Sequence, residues 1–124
     1  MANPGFIKTY DAGAAITPYT IVKFTGTDFQ VIPAAAVGDS LAGVTTEIAS
    51  NSGERVDVVH SGCAYVQAGG TIAAGDPITT NASGQAVKAA PASGANNNCI
   101  GRARQSAVSG DVFEVLLDFF TLQG

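Results

Sequence analysis

The 124-residue chain sets six Lys and Arg against ten Asp and Glu, a net charge of −4, and only 13% of its residues are charged. An acidic balance excludes a nucleic-acid partner, which needs a basic face to displace counterions from phosphate. No apolar run is long enough to cross a bilayer, so no membrane partner is expected, and the length suits one domain with a real core.

Met1–Gly5 lacks the basic and apolar regions of a secretory signal, so the chain is expected in the cytoplasm of the cell that makes it. Residues 1–12 hold the short run Phe6-Ile7-Lys8-Thr9-Tyr10 between Gly5 and Gly13, with no period long enough for a self-contained element. They read as an extended N-terminal arm ahead of a single β domain over 13–124. Such an arm adds as a strand to another protein's sheet edge, or serves as the first strand of the domain's own barrel.

Thr20–Phe24 and Phe29–Ile32, joined by Thr25-Gly26-Thr27-Asp28, spell a hairpin. Pro33 and Gly38 bracket the alanine run too closely for more than one helical turn, and the strand Leu41–Thr46 follows. Gly53-Glu54-Arg55-Val56-Asp57-Val58-Val59 alternates apolar and polar residues, as a half-buried strand does. His60-Ser61-Gly62 reads as a turn or bulge, returning Cys63–Gln67 to pair with Arg55–Val59. Ile78–Thr80 and Gln85–Lys88 repeat the hairpin pattern, and residues 89–98 read as the longest loop, on the surface.

Cys99–Gln105 puts Arg102 and Arg104 on one outward face. The last strand aligns Phe113, Val115, Leu117 and Phe119 on an apolar face, yet Val112, Leu116, Phe120 and Leu122 make the other face apolar too. A barrel or sandwich has one interior, so this second face must meet a neighbouring element or another subunit.

The strand at Gly53 returns at Gly110-Asp111-Val112-Phe113-Glu114-Val115-Leu116. Leu41-Ala42-Gly43 is echoed by Cys99-Ile100-Gly101, and Gly13-Ala14-Ala15-Ile16 by Gly69-Gly70-Thr71-Ile72, at offsets of 56 to 58 residues. The chain therefore reads as all-β, a compact barrel or sandwich of short antiparallel strands with an internal pseudo-two-fold duplication over about 13–60 and 69–117.

Catalytic signals are absent: His60 stands alone, and no HExxH, phosphate loop or GxSxG occurs. Cys63 and Cys99 lack CxxC spacing and read as buried free thiols. Asp39, Glu54, Asp76 and Asp111 each follow a glycine, which turn chemistry explains without calcium. No lysine falls at a hairpin tip, against a biotinyl- or lipoyl-carrier role. No metal, cofactor or catalytic residue is expected.

Tyr19-Thr20-Ile21-Val22-Lys23-Phe24, Leu41-Ala42-Gly43-Val44, Gly53 to Gly62 and Gly75-Asp76-Pro77-Ile78-Thr79, in that order, resemble the small capsid decoration, or cement, proteins of tailed bacteriophages. The resemblance implies an all-β homotrimer on the outer surface of the expanded virion head, clamping neighbouring copies of the major capsid protein. It places the capsid contact on Phe6, Ile7, Lys8 and Tyr10 and the subunit contact on Leu116, Phe120 and Leu122. A host- or carbohydrate-binding β module of a virion and a small β-barrel enzyme are the competing readings.

Overall fold

The computed structural model of the protein describes residues 4–124. Its strands are β1 (Pro4–Ala12), β2 (Ile21–Phe24), β3 (Gln30–Pro33), β4 (Leu41–Thr45), β5 (Arg55–Gln67), β6 (Pro77–Thr80), β7 (Ala86–Lys88), β8 (Asn96–Ala103) and β9 (Val112–Gln123). The described residues contain no helix.

Pairing runs β1-β3-β2-β4-β5, and β5 pairs back on β1, so these five strands close into a barrel. Closure removes the open edges that a five-stranded sheet would otherwise expose. The second half of β5 begins another ring through β9, β8, β6 and β7, which a parallel bridge from Ala68 to Ala86 closes. β5 is thus the last strand of the first barrel and the first strand of the second.

The two halves carry the same ladder. Tyr10 pairs with Val56 as Val66 pairs with Phe113, and Ile7 with Val59 as Cys63 with Leu116. The isolated bridge Ile16–Ser50 has its counterpart in Ile72–Ala107. Inward positions match as well: Tyr10, Ala12, Ile16, Val22, Ala42, Val56 and Val58 gather in one core, and Val66, Ala68, Ile72, Ile78, Ile100, Phe113 and Val115 in the other. Alternation at period two builds both, because each ring has one interior.

Of the two places read for residues 1–12, an arm and the first strand of the domain's own barrel, the described part takes the second. Residues 1–3 lie outside the described residues, and the rest is β1, paired with β5 from Pro4↔Gly62 to Asp11↔Arg55. It is the counterpart of Cys63–Ala68, so the repeat begins before Gly13. Without β1, the first half of β5 would leave a row of backbone groups unpaired.

Three further expectations change. Of the two readings of His60–Gly62 the bulge holds, since Phe6 pairs with Ser61 but Ile7 with Val59 while β5 runs on with Gly62 at φ 80°, but Cys63–Gln67 pairs with β9 instead of returning to Arg55–Val59. The loop after β7 is shorter than expected, since β8 already begins at Asn96 and pairs with Gln123. Phe119 leaves the core face: Cys99 pairs with Phe120 but Gly101 with Leu117, so β9 holds one extra residue there. Such a bulge inverts the alternation beyond it, and Phe119 comes out exposed.

The turn acids do what turn chemistry requires. Asp39, Glu54, Asp76 and Asp111 each accept a backbone N–H from three residues earlier, at Ala36, Asn51, Ala73 and Val108.

Candidate assembly surface

The large apolar side chains left exposed fall into distinct patches. On the first barrel, Phe6 is 55% exposed and its ring lies 5.6 Å from that of His60. Tyr10 packs against the same imidazole at 5.4 Å and against Phe24 at 6.1 Å. His60 is held from both sides: Nδ1 lies 2.7 Å from the Ala42 carbonyl oxygen and Nε2 lies 2.9 Å from the Tyr10 hydroxyl. Nδ1–H donates to the Ala42 carbonyl and Nε2 shares a hydrogen bond with the Tyr10 hydroxyl, so both ring nitrogens are satisfied. The result is a fixed aromatic cluster at the surface, with Phe6 and Phe24 its open members.

The four β1 residues singled out in the sequence therefore divide. Phe6 and Tyr10 belong to the aromatic cluster, Tyr10 reaching down to the first core. Ile7 lines a different groove of about 380 Å³ with Tyr19, Ile48, Val59 and Tyr65. Lys8 is exposed beside Phe29 and Arg55.

On β9, Leu116 is 50% exposed and Val112 stands out with it. Arg104 bridges to Glu114 at 3.1 Å between them and also donates to Cys63 Sγ at 3.3 Å. Among the described residues, Glu114 Oε2 is the buried side-chain polar atom with no hydrogen-bond partner. Phe120 and Leu122 are half-buried, and the Arg102 guanidinium sits 5.3 Å over the Phe120 ring, a cation–π contact. Leu116 is thus open, whereas Phe120 is already partly covered by its own chain.

Among the described residues no three His, Cys, Asp or Glu gather as metal ligands. Phe24, Phe29, Ile48 and His60 were not foreseen as surface residues. Phe24 and Phe29 follow strand alternation that suits an interior equally well, and nothing in the local pattern marks Ile48. The duplication does carry a signal for Phe29, because its counterpart in the second hairpin is Gly84 and both have positive φ.

These surfaces suit contact with other proteins, and the comparisons name the setting. Residues 3–118 match the model of the phage cement protein family. The chain belongs to that family. As a cement protein it is a structural component associated with the phage head. Its fold is shared with the N base of head fiber gp8.5 of bacteriophage phi29, at TM-score 0.66 and 22% identity over 91% of this chain and 93% of that one. No curated protein matches the chain. Cement chemistry is adhesion, which makes the exposed apolar patches the candidate site.

Proposed function

We propose that this cement protein binds the outside of the expanded head as a trimer and clamps neighbouring major capsid subunits. The observation that carries the reading is the family match over nearly the whole chain. The exposed strand-borne apolar residues supply its means. Phe6, Ile7 and Lys8 on β1 form the capsid contact, with Tyr10 and His60 holding Phe6 in place, and Leu116 with Phe120 and Leu122 forms the subunit contact.

Three copies present three capsid contacts at once, so weak single contacts combine into firm attachment. A ligand that binds only the expanded lattice stabilises it by mass action, and binding follows expansion because the composite site exists only then.

The test is co-sedimentation with expanded, undecorated heads of the phage that encodes the protein, counting copies bound per capsid subunit. Saturation near one copy per subunit is expected. Absence of binding to demonstrably expanded heads overturns the reading and favours a host-binding module.

A further inference from the structure

The contact between the two barrels shows which surface of one repeat covers which surface of the next. Ile21, Ala34, Val44 and Val59 come from the first barrel yet belong to the second barrel's core cluster. Around them, the Tyr19 ring packs on that of Tyr65 at 6.4 Å, and Ile21 N–H donates to Gly84 O at 2.8 Å. Thr20, Ile21 and Ala34 crowd the space beside Gly84, and Asn98 N–H reaches Val37 O.

The duplication locates both halves of this contact a second time. Ile21 pairs with Val44 as Pro77 pairs with Arg102, and Ala34 bonds to Ile21 as Ala89 bonds to Pro77. The covering surface therefore recurs on the second barrel as Pro77, Arg102 and Leu116, around Ala89, which the chain itself already buries. The covered surface recurs on the first barrel, where Thr9, Phe29 and Ser40 hold the places of Tyr65, Gly84 and Asn98.

Burial differs sharply between the counterparts. Val59 is 5% exposed where Leu116 is 50% exposed, and Val44 is fully buried where Arg102 is exposed. Gly84 is buried where Phe29 is 67% exposed. Each end of the molecule thus shows one unfilled half of a contact whose filled version lies inside the chain.

We infer that a second copy of this chain fills it head to tail, the Pro77–Arg102–Leu116 face of one copy resting on the Thr9–Phe29 end of the next. The contact is heterologous, and the trimer proposed above requires its rotation to close, which sets first and second barrels alternately around a ring. It is weaker than the internal one, because Pro77 has no N–H to repeat the Ile21–Gly84 bond and Arg102 replaces Val44. This deepens the self-association part of the proposed function and leaves the capsid contact on Phe6 and Ile7 untouched, while Lys8, beside Phe29, falls at the edge of the contact between copies.

Two readouts test it. Native mass spectrometry of the full chain shows a discrete oligomer, and Leu116→Asp and Phe29→Asp each shift at least nine-tenths of it to monomer with an unchanged circular dichroism spectrum. Asp is tolerated at the positive φ of Phe29. In the second, a chain carrying both Phe29→Cys and Ala90→Cys, next to Ala89, is joined to other chains by a short bismaleimide. Chains carrying either cysteine alone stay uncoupled, as does the wild type with its buried thiols. A monomeric wild type, an oligomer that survives Phe29→Asp, or coupling by a single cysteine overturns the inference. A monomer that still saturates expanded heads leaves the decoration reading standing while this one falls.

Discussion

Gly43 and Gly101 are counterparts in the two barrels, and at each the space for a Cβ is filled by a backbone oxygen of the neighbouring strand, that of Val59 and that of Leu116. A backbone carbonyl cannot swing aside as a side chain can. The strands approach this closely because neither glycine has a side chain to hold them apart.

Gly43→Ala and Gly101→Ala are each expected to destabilise the fold by on the order of 3 kcal/mol through forced strand separation. Gly101 suffers further from its φ of 155°. Gly38→Ala meets open space and stays within about 0.5 kcal/mol of wild type. Urea unfolding of the three variants checks the ranking, and a neutral Gly101→Ala would show that the strands are not so closely apposed.

Asp39 ties down the loop that meets the second barrel. Its Oδ2 accepts from Ala35 and Ala36 N–H at 2.9 Å and lies 3.4 Å from Lys23 Nζ, while its own carbonyl receives Asn98 Nδ2. Burial pushes its carboxyl up, but the two N–H groups and the Lys23 ammonium together hold it below the ordinary 3.8. A depressed pKa contributes stability that is present above the unfolded value and lost as pH falls through the folded one. Asp39→Ala should therefore cost about 1–2 kcal/mol at pH 7 and progressively less below pH 3.8. Urea midpoints for both proteins at pH 7 and pH 3 read this directly, and an equal gap at both pH values contradicts it.

Cys63 and Cys99 are free and buried, and burial raises the Cys99 thiol above its ordinary 9.0. The Cys99 thiolate, the reactive form, is therefore scarce, and both thiols are shielded by burial. An aromatic disulfide reagent at pH 7 should titrate no rapid thiol in the native protein and two in denaturant. A fast native thiol would mean that one of these strands opens readily.

Phe6 and Phe113 should separate adhesion from stability. Phe6→Ala, at a 55% exposed site, leaves unfolding within about 0.5–1 kcal/mol of wild type but lowers head binding by about tenfold or more. Phe113→Ala, in the second core, costs about 3–5 kcal/mol. Its folded fraction should bind heads normally. Head binding untouched by Phe6→Ala would move the capsid contact off the aromatic cluster.

What the sequence determined by itself was local. Period-two alternation and glycine–acid turns specify strands wherever they occur, so β2 to β4, β6 to β9 and the echo between Val56 and Phe113 were legible without coordinates. Tertiary structure decided the partners, because hydrogen-bond pairing between strands depends on groups far apart in the chain. Nothing local to residues 4–12 says that they dock on Arg55–Gly62, and nothing local to His60–Gly62 says that β5 continues through them into a second barrel. The same holds for the surface. Val59 and Leu116 are equally apolar residues in equivalent strands, and only the stacking of one barrel on the other buries the first and leaves the second in solvent.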